Sequence, residues 1–470
     1  MFKAHFIGIC GAGMSATAKL LKDKGWQISG SDDGFYPPIS DYLKKYNLPC
    51  STPYRPENIP SDADLIIIGK HAKLTPEENE EVAAAFASGL PVKSFPEVLS
   101  DLTAKTNNLV FTGSYGKSTC AAIAAWCLIQ TGRDPSFFIG AIPETPSESS
   151  RLGQDQEFVL EGDEYPSSNW SDKSKFLYYH PTHVLLTSLT HDHVNVFPTP
   201  ESYIQPFSEL VNLIPTNGSL TACLDGEHVP QFIKNIPVPI TTYALNSPAD
   251  WTAKNISYGE TTIFSLFHHE QKVTDLSTTL LGRHNVENII GVSALLLSQK
   301  LITPAELARG INSFKALTRR LDLKSTRTAL KIYEGFGSSY SKARAAIDAI
   351  KLHFPNRRLL VIFEPHTFSW RNRAYLSHYD TAFAGAAHVF VYKPPLHGAL
   401  THDQLTLAEI VSQIKKSGLN ATGFETAADG LQQIESIWKE DDIVLLLTSG
   451  NLGRLIETIP RSAETAFPNN

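Results

Sequence analysis

Along this chain, apolar runs of roughly four to six residues alternate with longer segments whose apolar positions recur at the spacing of one helix face. Such runs, bounded by glycine and polar clusters and followed by helical periodicity, predict βαβ units and parallel sheets. Strands are expected at 4–9, 27–30, 65–69, 108–112, 157–161, 183–187, 359–363, 388–392 and 442–447, which makes the fold class α/β. At roughly 150 residues per hydrophobic core, 470 residues imply three domains. The polar stretch TAKTNN at 103–108 and the segment 315–324, before the hairpin-like LKSTRTALKIYEGF, place the divisions at 1–106, 107–322 and 323–470. The polar, turn-rich segment PETPSESSRLGQD at 143–155 is expected to be a loop inside a domain.

Composition narrows the function classes. With 42% apolar and 19% charged residues the chain is an ordinary globular one. The net charge of −7 carries no basic stripe, so nucleic acid is not an expected partner. Five cysteines without a C-x-x-C pair exclude a disulfide framework and fit a reducing, cytoplasmic setting. The opening MFKAHFIGIC reads as strand and glycine turn rather than leader. No apolar run approaches the roughly 18–20 residues of a spanning helix, so no membrane partner is expected. With no heptad seam or apolar patch legible, a monomer or weak homodimer is the expectation.

Two glycine clusters carry candidate chemistry. In FIGICGAGMSA, Gly11, Gly13 and Ala16 satisfy G-x-G-x-x-A between a strand and a helix, and Ser31, Asp32 and Asp33 end the next strand, where an acidic residue would bind ribose. A dinucleotide site, another nucleotide site and a tight turn all remain open on this motif alone. In NLVFTGSYGKST the strict P-loop pattern fails at Phe111, yet the residues Gly113, Ser114, Tyr115, Gly116, Lys117, Ser118 and Thr119 keep what phosphate binding requires. Loop N–H groups cradle phosphates, the Lys117 ammonium reaches their oxygens, and the Ser118 hydroxyl is a Mg²⁺ ligand. Two phosphate loops disfavour a simple nicotinamide-dependent dehydrogenase.

Downstream, FVLEGDEY ends a strand in Glu161, Asp163 and Glu164, hard oxygen donors suited to a nucleotide's metal. The run SLTHDHVNV supplies His191, Asp192 and His193; histidine is a mediocre Mg²⁺ ligand, and loop histidines that cap a helix or face solvent are an equal reading.

Taken in order, GICGAGMS, GSYGKST, EGDEY, THDHVN, GRHNVEN (282–288), RRLDL (319–323), FEPHTFSWR (363–371) and TSGNLG (448–453) resemble the Mur ligases, ATP-dependent amide-forming enzymes of peptidoglycan metabolism. The resemblance implies a Rossmann-like N-terminal domain that binds a UDP-sugar, a central P-loop ATPase domain, and a C-terminal Rossmann-like α/β domain that binds the amine substrate. It implies ATP and Mg²⁺ as cofactors, with Lys117 on phosphate, Ser118, Glu161 and His193 as metal ligands, and Lys117, Glu161, His193 and Arg320 as the catalytic set. Asn285 and Asn288 match adenine-recognising positions, although Asn285 also reads as a helix cap. Gly11, Ala12, Gly13, Met14, Ser31 and Asp32 fall where the family binds its uridine nucleotide. His366 and Arg371 fall at the mouth of the third domain, where His366 could take the amine proton or cap a helix.

Within the family, GSDDGFYPPIS (30–40) and DEYPSSNWSDKSKFLYYHP (163–181) resemble the murein tripeptide ligase branch, which joins UDP-N-acetylmuramate to L-Ala-γ-D-Glu-meso-diaminopimelate in peptidoglycan recycling. The alternative branch adds a single L-alanine. One stretch departs from the family: relatives carry Asp-Asp-(Phe/Tyr)-Ala-His-His-Pro where this chain has Glu334, Gly335, Phe336, Gly337, Ser338, Ser339 and Tyr340. Substitution by Glu334, an altered amine site, and a nucleotide-binding homologue without ligase activity are the three readings of that departure.

Overall fold

The computed structural model describes residues 1–35, 39–193, 196–396 and 403–469. Tyr36, Pro37 and Pro38 of GSDDGFYPPIS, and Val194 and Asn195 of THDHVN, lie outside the described residues. Among the described residues, no helix is long and apolar enough to cross a membrane.

Three sheets organise the chain. The first comprises β1 (Lys3–Ile7), β2 (Gln27–Ser31), β3 (Leu65–Ile68) and β4 (Val92–Lys93), all parallel, in the order β2-β1-β3-β4. The second comprises β5 (Asn107–Thr112), β6 (Ser136–Phe138), β7 (Ser150–Arg151), β8 (Glu157–Glu161), β9 (His183–Leu186), β10 (Ser219–Cys223), β11 (Ile240–Tyr243), β12 (Trp251–Ser257), β13 (Thr262–His268) and β14 (Gln271–Thr278). Its order is β14-β13-β12-β11-β10-β9-β5-β8-β6-β7. The third comprises β15 (Arg320–Leu323), β16 (Lys331–Phe336), β17 (Leu359–Phe363), β18 (His388–Tyr392), β19 (Ala421–Phe424) and β20 (Ile443–Thr448), in the order β15-β16-β20-β17-β18-β19. Only the edge strand β15 runs antiparallel in the third sheet.

The chain divides into two compact units, one of Met1–Ile256, Ile263–Thr278 and His284–Phe314, the other of Ser257–Thr262, Thr279–Arg283 and Lys315–Asn470. The first unit holds most of the first two sheets, and the second holds the third. Central strands such as β5 and β20 are buried on both faces, which is why they read as continuous apolar runs.

The expected loop at 143–155 is mostly bend and coil, and departs from its reading at Ser150–Arg151. Ser150–Arg151 pairs antiparallel with β6, and Ser150 is fully buried, its hydroxyl donating to Ala16 O at 2.8 Å. Serine-rich composition signalled solvent, whereas here the serine hydroxyls satisfy buried acceptors. The strands β10 to β14 fall in a stretch where alternation was too weak to suggest them.

Candidate active site

Strand β5 lies between β8 and β9, and the carboxyl ends of all three converge where open α/β sheets bind ligands. The turn after β5 needs two left-handed positions, Gly113 at φ +123° and Gly116 at φ +82°, before the helix Lys117–Gln130 starts. It is anchored from β9: Ser114 N donates to Ser188 O at 3.0 Å, and Thr187 Oγ1 donates to Tyr115 O at 2.5 Å. Apolar packing of the helix, buried from Ser118 to Ala125, aims its N-terminus at this turn.

The carboxylates of the next strand end face the loop. Lys117 Nζ lies 2.9 Å from Glu164 Oε2, a side chain with no exposure. The other Glu164 oxygen accepts from Tyr203 OH at 3.1 Å and lies 3.8 Å from His193 Nε2. Tyr203 OH also reaches Ser114 Oγ at 3.0 Å, so one phenol joins P-loop and carboxylate. Ser118 Oγ donates to Glu161 Oε1 at 2.8 Å, and Gly140 N donates to Glu161 Oε2 at 2.6 Å. Asp163 pairs with Lys175 at 2.6 Å. Burial pulls the Lys117 pKa down, but the charges of Glu164, Asp163 and Glu161 outweigh it and raise the pKa, so the ammonium stays charged. Burial pushes Asp163 up, and Lys175 and Lys117 more than offset it, holding the carboxyl below its ordinary value.

Sequence reasoning placed Glu161 and His193 on one metal. In the structure Glu161 meets Ser118 and His193 lies 3.8 Å from Glu164, and among the described residues no group of three or more His, Cys, Asp or Glu side chains is arranged to hold an ion. An oxygen pair from Ser118 and Glu161, 2.8 Å apart, nevertheless fits Mg²⁺, which is held by one or two protein oxygens with phosphate and water completing the shell. Tyr203 was not singled out from sequence. It lies on the apolar stripe of the helix Pro200–Asn212 with Phe207, Leu210 and Val211, and looks like core until the fold shows where its hydroxyl points.

Asn285 and Asn288, expected from the resemblance at the adenine, open the helix Arg283–Ser298, both buried, with Asn288 Nδ2 3.4 Å from Asn285 Oδ1. A Cβ at Gly116 would fall 2.5 Å from Asn288 Oδ1, so the asparagine packs directly on the P-loop turn.

At the first glycine cluster, Asp32 Oδ2 accepts from Cys10 N at 2.8 Å, tying the loop to the end of β2. Gly11 precedes the helix Ala12–Asp23 directly, and Gly13 has no side chain because the Phe95 ring lies where a Cβ would stand. Met14 is buried in the core. Ser31 turns inward: its hydroxyl donates to the fully buried Glu81 at 2.7 Å. Glu81 also meets His5 Nε2 at 2.8 Å, Asn58 Nδ2 at 2.9 Å and Arg55 N at 2.8 Å. Burial would raise its pKa, but those four partners lower it further than burial raises it. A carboxyl with a depressed folded-state pKa contributes stability above its unfolded value, and that stability is lost as pH falls through the folded value. Glu81→Gln should therefore destabilise more at about pH 7 than at about pH 4, as urea denaturation at both pH values would show; an equal loss would contradict the assignment.

In the second unit, Arg320 on β15 is exposed, whereas its neighbour Arg319 meets Glu334 Oε1 at 3.1 Å and Gly450 O at 3.1 Å. Glu334 is buried and also pairs with Lys324 at 2.6 Å, so its carboxylate is already held by two cations. A Cβ at Gly335 would fall 3.0 Å from Leu447 Cδ2. Ser339 caps the helix Tyr340–His353 by accepting from Lys342 N. His366 Nδ1 lies 3.5 Å from Glu364 Oε1, and buried Glu364 accepts from Thr448 Oγ1 and from Leu452 N at 2.9 Å. Arg371 is buried and donates to Pro395 O at 3.0 Å, so its guanidinium binds protein carbonyls.

Residues 3–106 match the model described as Mur ligase family, catalytic domain, and residues 111–296 match Mur ligase middle domain. The UDP-N-acetylmuramate–L-alanine ligase of Chlorobium phaeovibrioides is 30% identical over 392 residues, 83% of this chain and 81% of that protein. The chain belongs to the Mur ligase family. It is thus an ATP-dependent ligase that forms a carbon–nitrogen bond, of the family that serves peptidoglycan synthesis. The fold of this Mur ligase is shared with UDP-N-acetylmuramate-alanine ligase from Thermotoga maritima, at TM-score 0.79 and 20% identity over 99% of this chain and 100% of that one. A UDP-N-acetylmuramate:L-alanyl-gamma-D-glutamyl-meso-diaminopimelate ligase from Neisseria meningitides is 27% identical, covering 68% of this chain and 100% of that one, at TM-score 0.62.

Proposed function

We propose that this Mur ligase joins the carboxylate of UDP-N-acetylmuramate to the amine of L-alanine through an acyl phosphate. The observation that carries the phosphoryl step is the buried Lys117–Glu164 pair beside the Ser118–Glu161 oxygens, and the relative from Chlorobium phaeovibrioides carries the amine. The tripeptide, put first on sequence motifs, is the second reading, favoured by the 27% identity to the Neisseria ligase.

The sugar carboxylate attacks the γ-phosphorus of ATP, ADP departs, and the amine then displaces phosphate from the acyl carbon. Phosphoryl transfer asks for alignment and charge neutralisation rather than covalent help. Lys117 supplies a fixed cation, the loop N–H groups of Gly113 to Lys117 supply donors, and Asn285 and Asn288 orient the adenine end. Mg²⁺ held by Ser118 and Glu161 would neutralise phosphate charge and polarise the γ-phosphoryl group. The amine must react neutral, and His366, oriented by Glu364 behind it, is the proposed proton acceptor. Gly335 packs against Leu447 and Ser339 caps a helix, which supports an amine site that works without the family's histidines at this stretch.

Phosphate release from the purified protein with UDP-N-acetylmuramate and Mg-ATP, with L-alanine or the tripeptide added separately, tests the proposal. Release dependent on L-alanine is expected. Release only with the tripeptide selects the second reading, and binding of both nucleotides without release with either amine sinks both.

A further inference from the structure

The order β2-β1-β3-β4 places the topological switch of the first sheet between β1 and β3, and ligands of such sheets bind in the crevice outside those strand ends. The first glycine loop leaves β1 on one side of that crevice. On the other side β3 ends at Ile68, and Gly69 and Lys70 follow. Gly69 N donates to Ile7 O at 2.9 Å, which holds the two exits together. Asn169 Nδ2 donates to His71 O at 2.7 Å and Leu74 O at 2.9 Å, pinning the Lys70 loop to the segment that follows EGDEY.

Besides the exposed Lys173, three partly buried lysines lie near this segment, and one differs. Lys117 pairs with Glu164 and Lys175 with Asp163. Lys70 Nζ donates to a neutral acceptor, Ser168 O, at 3.1 Å, and lies 5.4 Å from the Tyr165 ring centroid; among the described residues it forms no ion pair. Lys175 approaches the same ring at 5.5 Å, so two cations lie against one aromatic ring. Burial lowers the Lys70 pKa, Lys175 lowers it further, and the exposed Asp172 only partly opposes them. A partly buried ammonium beside another cation, hydrogen-bonded to a carbonyl and with only the exposed Asp172 near enough to oppose burial, is short of negative charge.

We propose that Lys70 binds an anionic oxygen of the uridine-linked sugar substrate where it passes from the first glycine loop towards the P-loop, and so sets the affinity for that substrate. The proposal rests on the assignment of the first loop to UDP-N-acetylmuramate. Two groups of that molecule share the required chemistry, the diphosphate and the lactyl carboxylate.

Lys70→Met and Lys70→Arg in the full-length protein test it, by calorimetric titration with UDP-N-acetylmuramate and with UDP-N-acetylglucosamine, which keeps the diphosphate and lacks the carboxylate. Lys70→Met should weaken UDP-N-acetylmuramate about tenfold or more, the size of one charged hydrogen bond. Lys70→Arg should recover most of that loss, and the KM for ATP and kcat at saturating sugar should stay within about twofold of wild type. Equal weakening of both sugars identifies the diphosphate as partner, and weakening of UDP-N-acetylmuramate alone identifies the carboxylate. Unchanged affinity of Lys70→Met for UDP-N-acetylmuramate, or an equal loss for ATP, overturns the role of Lys70. A wild-type protein that binds ATP and neither uridine nucleotide overturns the loop assignment, and this role with it.

Discussion

Lys117→Met is expected to lower kcat by about 10²–10³, the usual consequence of removing one preorganised charge from a developing transition state. Two losses combine in that substitution. The reaction loses its fixed cation, and Glu164, with no exposure, loses the ammonium 2.9 Å away. Breaking a buried pair from one side typically costs about 3–5 kcal/mol because the remaining charge is uncompensated, and among the described residues Glu164 keeps only Tyr203 as a side-chain hydrogen-bond donor, with His193 3.8 Å away. The double substitution Lys117→Met with Glu164→Gln separates the two effects. It should regain most of the stability in urea denaturation while phosphate release stays as low as in the single variant. A single variant that retains kcat within about tenfold of wild type would show that Lys117 does not carry the phosphoryl step.

Gly113→Ala should remove ATP binding and destabilise the protein by an amount on the order of 3 kcal/mol, combining backbone strain and overpacking. Its φ of +123° is a region that L side chains rarely adopt. An added Cβ would lie 2.8 Å from both N and O of Ser188 and closer still to Thr187 Oγ1. Those atoms anchor the loop, since Ser188 O accepts from Ser114 N and Thr187 Oγ1 donates to Tyr115 O. Relief of the clash therefore moves the phosphate loop itself. Uridine nucleotide binding, which the family resemblance assigns to the first glycine loop, should survive. Calorimetry with each nucleotide and a urea titration check the three parts, and normal ATP binding by the Gly113→Ala variant would contradict the anchoring.

Much of this was legible in sequence because parallel strands buried on both faces leave unbroken apolar runs, as in β5, β17 and β20. Glycines and a lysine between such a strand and a helix announce a phosphate loop, for the same reason the loop works: N–H groups must approach the ligand. Side-chain pairing was less legible. Ser31 was expected at a ligand and is instead buried on Glu81, because a short hydroxyl at a strand end serves either side equally well. Arg371 was expected at the substrate, and in the fold its Nη1 donates to the Pro395 carbonyl. Lys70 carried no motif at all, and it stands out because, among the described residues, it forms no ion pair although Lys175 lies close by.

What the sequence by itself determined is the alternation of strand and helix, the two glycine loops and the residue types at each strand end, since these follow from period, backbone freedom and local charge. Only the tertiary structure decided which of three neighbouring carboxylates meets which partner: Glu161 with Ser118, Asp163 with Lys175, Glu164 with Lys117 and Tyr203. Those partners come from the start of the helix Lys117–Gln130, the turn Lys175–Tyr178 and the helix Pro200–Asn212, and their distances are set by sheet order and register, which no local pattern along the chain records.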